Sequence, residues 1–217
     1  MKLFCKLFLI VVIGLLPLTL FANEFGPARA ELERFTEGLN SFQAEFTQTV
    51  IAQDGSIQDQ SAGSVWLQTP DKLRWVYTGD FPEVIVADGS NIWIYDESLQ
   101  QVTVKPQSGE ASDSPLMILA DVSRLDEQFN VAELGAYEDV LILELKSRAE
   151  ESEFERILLG LDTNGIRMMA MEDAFGQRTE IRFEEASKNI ELEAGLFDFT
   201  PPEDADVVGV AALPERE

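Results

Sequence analysis

From Ser41 to Val104 the chain reads as a series of extended segments between turn signals, and their strand code constrains it to an antiparallel sheet. Phe42, Ala44, Phe46, Gln48 and Val50 share one side of an extended segment. Gln43, Glu45, Thr47, Thr49 and Ile51 take the other. The pattern returns over residues 65–67, 73–77, 84–86, 92–95 and 102–104. Asp54-Gly55 and Asp88-Gly89 lie between segments, where a tight turn needs positive φ. Trp66, Trp75 and Trp93, all the tryptophans of the chain, fall in this stretch. Hairpins in series with large aromatics predict a curved sheet with one strongly apolar face. That face must be covered by the protein's own core or by a guest.

Helices are few. Ala28, Leu32, Phe35 and Leu39 repeat at helical spacing behind Pro27, and Gly38 with Asn40 marks a stop, which predicts a helix over 27–39. Residues 106–113 are polar and read as a loop. Ser114 then caps, and Pro115 opens, a short apolar helix, Leu116-Met117-Ile118-Leu119-Ala120. Strands resume over 129–134, 140–146, 154–161, 166–172 and 178–183. A last short helix is expected over 189–196, and Pro201-Pro202 ends regular structure. The fold class expected is mainly β (α+β), with small helices on the concave side of a strongly curved sheet.

The leader is legible from its charges. Lys2 and Lys6 precede an apolar run over 7–21, and Ala22 is a small residue at a cleavage point. The run is short for a membrane span, and Pro17 interrupts it. The expected organisation is a cleaved signal peptide over 1–22 and one domain over 23–217, enough chain for one core. Cys5 is the single cysteine and lies ahead of the apolar run, not at its end. The mature protein is therefore expected to carry neither a lipid-modified cysteine nor a disulfide.

Charge and missing residue types exclude several functions. Sixteen Lys and Arg stand against 40 Asp and Glu, a net charge of −24; without Lys2 and Lys6 the balance is 14 against 40, or −26. Such a chain is repelled by phosphate backbones and anionic headgroups, so no nucleic-acid partner is expected. Histidine is absent, which removes the usual triads and His-based metal spacings. There is no nucleophile elbow and no glycine-rich phosphate loop, and the carboxylates are too evenly spread to single out an acid–base pair. No catalytic residue, metal or cofactor is expected.

Five strings carry a resemblance: SFQAEFTQTV from Ser41, VWLQTPDKLRWVY from Val65, VADGSNIWIYD from Val86, SPLMILA from Ser114 and FDFTPPEDADVV from Phe197. In this order and spacing the chain resembles the LolA family of periplasmic lipoprotein carriers. The resemblance implies an incomplete antiparallel β-barrel whose hydrophobic cavity lies under a lid of short helices. It implies a monomeric periplasmic chaperone, neither an enzyme nor embedded in a membrane. Its cargo would be acylated lipoproteins, received from an inner-membrane ABC transporter of the Lol type and passed to the outer-membrane acceptor LolB. The candidate acyl-chain site comprises Phe42, Phe46, Trp66, Leu73, Trp75, Ile85, Trp93, Leu116, Met117, Ile118, Leu119 and Phe183.

Two positions depart from the family pattern. Thr69 stands where many members have an Arg that helps hold the lid, and Leu73 where many have Phe. Either Gln68, Lys72 and Arg74 are the candidates to fasten the lid instead, or the lid is held more loosely. Two other classes share the leader and the alternating strands. An outer-membrane barrel commonly ends on an aromatic strand, whereas this chain ends Leu213-Pro214-Glu215-Arg216-Glu217. A lipid hydrolase would need a nucleophile constellation that the sequence does not show.

Overall fold

The computed structural model describes residues 26–107, 125–149 and 152–212. Two antiparallel meanders are joined edge to edge. The first runs β1 (Ser41–Ile51), β2 (Ile57–Gln68), β3 (Lys72–Thr78), β4 (Glu83–Asp88), β5 (Asn91–Asp96) and β6 (Gln101–Pro106). The second runs β7 (Phe129–Tyr137), β8 (Val140–Ser147), β9 (Phe154–Asp162), β10 (Gly165–Asp173) and β11 (Arg178–Lys188). β11 returns to pair with β1, and a short β12 (Asp206–Gly209) adds to β6 in parallel. The resulting order is β12-β6-β5-β4-β3-β2-β1-β11-β10-β9-β8-β7.

Among the described residues β12 and β7 are the two edges of the sheet, which is an incomplete barrel. Its curvature shows in one contact. The rings of Trp75 on β3 and Phe183 on β11 lie 6.2 Å apart, centroid to centroid, with β2 and β1 between their strands. On a flat sheet those strands would be about 14 Å apart. Rolling the sheet brings the side chains of one face together.

That inner face bears the helix α1 (Pro27–Thr36), which buries Ala28, Leu32 and Phe35 against β7 to β10. Gly26 at its N-cap supplies no capping side chain. Glu133 on β7 replaces it, accepting from the backbone N–H groups of Ala28 (3.1 Å) and Arg29 (2.9 Å). A carboxylate at a helix N-terminus satisfies orphan donors and opposes the helix dipole, so the helix start is set by the sheet. The helix stops at Thr36, three residues short of expectation. Thr36 Oγ1 turns back to Leu32 O (3.0 Å), and Gly38 takes φ of 63°. Leu39 still reaches the core from the linker. One further helical turn, α2 (Leu125–Gln128), precedes β7.

The opposite, outer face of the first meander is also covered, which the alternation alone does not predict. The C-terminal segment crosses it as an extended strap. No helix forms over 189–196; instead Ser41 Oγ donates to Ile190 O (2.7 Å), and Asn189 Oδ1 accepts from the backbone of Asn40 (2.8 Å). Beyond Pro201-Pro202 the chain recovers regular structure as β12, against expectation, because the strap delivers it to the free edge of β6. The expected signal segment and the apolar helix over 116–120 lie outside the described residues.

Candidate functional site

Register assigns each inner-face side chain to a row across the sheet. The innermost row of the first meander is Phe42, Leu67, Leu73, Ala87 and Ile92; the next is Ala44, Val65, Trp75, Ile85 and Ile94. The third row is mixed: Phe46, Gly63, Tyr77, Glu83 and Asp96. Beyond it lie Gln48 and Ser61. The inner face thus grades from wholly apolar at the α1 end to polar at the other.

At the apolar end the surface is filled by its own rings. Phe46 packs on Trp75 at 4.3 Å and edge-on to Tyr77 at 5.2 Å, while Phe42 meets Phe35 at 5.5 Å and Phe183 at 6.4 Å. Gly63 makes this possible, because a side chain there would strike Phe46. The second meander continues the surface with Leu143, Leu145, Ile157, Leu159, Leu161, Met169 and Ile181, all buried. Trp75 is completely buried, yet its indole N–H has no hydrogen-bond partner.

At the polar end an open cleft of about 960 Å³ is lined by Gln48, Ser61, Tyr77, Glu83 and Asp96 together with the tips of neighbouring hairpins. Asp59 and Asp80 bring its carboxylates to four, and no Lys or Arg is among its lining residues. Glu83 and Asp96 face each other directly across β4 and β5. Burial, reinforced by the Asp96 charge, holds the Glu83 carboxyl above its ordinary pKa. Burial likewise pushes the Tyr77 phenol up to about 12, so it stays a donor, giving its proton to Gln48 Oε1 at 3.0 Å. Around this end stand exposed apolar tips: Ile57, Phe81, Leu99 and Phe175, at 60%, 80%, 69% and 83% exposure. They stand in or beside the β1–β2, β3–β4, β5–β6 and β10–β11 connections, which the antiparallel order puts at one end of the sheet.

The structure separates the sequence candidates into three groups. Phe42, Phe46, Leu73, Trp75, Ile85 and Phe183 share the inner face and the core cluster, Ile85 only half-buried. Trp66 and Trp93 do not join them. Trp66 pairs with Arg74, and Trp93 with Val86, on the outer face. There Trp93 packs on Phe199 of the strap at 5.6 Å and donates its indole N–H to Asp88 Oδ2 at 2.7 Å. Leu116, Met117, Ile118 and Leu119 lie outside the described residues.

The lid-fastening candidates are displaced as well. Leu73 and Trp75 point inward, so alternation turns Lys72 and Arg74 outward, with Gln68 opposite Lys72. Arg74 Nη1 donates to Leu196 O at 3.2 Å, and Gln68 and Lys72 border a small hollow beneath the strap. These residues attend the C-terminal strap on the outer face; the expected lid segment lies outside the described residues. Thr69 has a job of its own: Oγ1 donates to Leu39 O (2.8 Å), tying the α1–β1 linker to the β2–β3 turn. The polar cleft was missed in sequence, although Gln48 in phase with Phe42 and Phe46 marked where the apolar face gives way.

Among the described residues no group of His, Cys, Asp and Glu is arranged to hold a metal, and no helix is long and apolar enough to cross a membrane. The family model "Outer membrane lipoprotein carrier protein LolA" matches residues 37–200. The outer-membrane lipoprotein carrier protein of Xanthomonas campestris pv. campestris (strain B100) is 40% identical over 201 residues, covering 91% of this chain and 96% of the relative. That of Dechloromonas aromatica (strain RCB) is 38% identical over 196 residues, covering 90% and 92%. The solved structure of an uncharacterised conserved protein from Thermus thermophilus shares the fold, with a TM-score of 0.51 at 14% identity, covering 83% of this chain and 96% of that one.

Proposed function

The chain belongs to the LolA family of outer-membrane lipoprotein carrier proteins, and from that premise we propose that its inner face receives the acyl chains of lipoproteins through the cleft at its polar end. The observation that carries this reading is the gradient along the inner face, from apolar rows of rings to a polar, open rim. A lipid-linked protein has the same gradient, with hydrocarbon at one end and a polar chain at the other.

The energetics require a carrier. Burial is worth about 0.8 kcal/mol per methylene, so exposing an acyl chain to water costs on the order of 10 kcal/mol. The cluster of Phe46, Trp75 and Tyr77 covers the apolar face while empty, and its rings part to admit a chain. The leader directs the protein to the periplasm and is removed there. Cargo arrives from the inner-membrane Lol-type transporter and leaves at the outer-membrane acceptor LolB. The exposed tips around the cleft meet these partners mouth to mouth, so that the chain never crosses open water. Binding and release suffice, with no chemistry on the cargo.

The test is direct. A fluorescent fatty-acid analogue should bind the mature protein and be displaced by an acylated lipopeptide. The same peptide without its lipid should leave the signal unchanged. Equal displacement by both peptides, or no binding of the analogue, would sink the reading.

A further inference from the structure

The indole N–H of Trp75 has no hydrogen-bond partner, and its surroundings are apolar apart from the Tyr77 hydroxyl. Its ring is fully buried among Phe46, Phe183 and Tyr77, at 4.3, 6.2 and 6.2 Å. Buried indoles ordinarily find an acceptor. The same sheet shows it: Trp93 gives its N–H to Asp88 at 2.7 Å. The Tyr77 oxygen lies close enough to the indole for a weak hydrogen-bonding interaction that favours the charged phenol, but the contact falls short of full hydrogen-bond geometry. The Tyr77 proton is already directed to Gln48. Ser61 Oγ, two rows beyond Trp75 toward the cleft, is a second buried polar atom without a partner.

We propose that the Trp75 indole N–H binds the ester or amide carbonyl of an acyl chain lying on the inner face, and so sets the depth at which cargo is held. This rests on the carrier reading above. An acyl carbonyl needs only one donor and brings its own hydrocarbon to fill the apolar remainder. The register puts the donor one row below Tyr77, at the boundary between the apolar rows and the polar rim. A chain anchored there keeps its tail among Phe42, Leu73 and Phe183 and its polar end in the cleft. Selection then falls on acyl compounds over plain hydrocarbon.

The test follows the indole protons of isotope-labelled mature protein, assigned with Trp66→Phe and Trp93→Phe, which alter only the outer face. Methyl palmitate should move the Trp75 proton downfield and slow its exchange, and hexadecane should not. Trp75→Phe should lower the ratio of methyl palmitate to hexadecane affinity about tenfold, the loss of one hydrogen bond in a dry site, whatever it does to the binding of both. Binding of both probes with the same Trp75 shift overturns this assignment and leaves the carrier reading standing. An already downfield, protected Trp75 proton in the empty protein also overturns it. Binding of neither probe overturns both.

Discussion

The rings of Phe46 and Trp75 lie 4.3 Å apart although a whole strand, β2, runs between the strands that carry them. They meet because the residue of β2 opposite Phe46 is Gly63, which has no side chain to hold the rings apart. A Cβ there would overlap Val76 O and come within 2.8 Å of Phe46 Cζ. Gly63→Ala should therefore cost about 1–3 kcal/mol through overpacking, read as a lowered urea midpoint with unchanged slope.

Glu83 offers a test through pH. Its carboxyl pKa is raised by burial and by Asp96, so the folded protein holds this proton more tightly than the unfolded chain does. The stability linked to that proton is complete below 4.5, the ordinary glutamate value, and is lost as pH rises through the higher folded value. Glu83→Gln should then be more stable than the parent at neutral pH, the advantage fading as the solution is acidified below 4.5. Thermal melts across that range check the sign.

Arg74 separates a strap contact from a lid contact. Truncating it removes the bond to Leu196 O and leaves the inner face untouched. Arg74→Ala should cost about 1–2 kcal/mol and speed backbone hydrogen exchange over residues 189–205. Binding of an acyl probe should stay as in the parent; a change in its entry rate would point instead to a role in closure.

Phe81 is 80% exposed at the rim and has little packing to lose. Phe81→Ser should leave stability within about 0.5 kcal/mol of the parent. If the tips meet partners during handover, the variant should bind acyl probe normally yet move lipoprotein more slowly between membrane vesicles. Undiminished transfer would remove Phe81 from the docking surface.

The strand code was readable because a period of two says which residues of one segment share a side. Phe42 was grouped with Phe46 in this way, and the Asp-Gly pairs gave the turns at Gly55 and Gly89, where φ is 85° and 98°. The same period cannot say which side of one strand joins which side of the next. Val65-Trp66-Leu67 and Ile92-Trp93-Ile94 are apolar on both sides, so their tryptophans had no legible direction. Pairing decided it, placing Trp66 opposite Arg74 and Trp93 opposite Val86 on the outer face.

Both sides of these strands are apolar because both are covered, and the outer cover comes from Phe197 and Phe199, about a hundred residues away in sequence. Local propensity determined the strands, their turns and the in-phase aromatics, since those depend on neighbours along the chain. The strap on Arg74, the Glu133 cap on α1 and the unpartnered N–H of Trp75 depend on which distant backbone groups the rolled sheet brings within reach, and only the tertiary structure decided them.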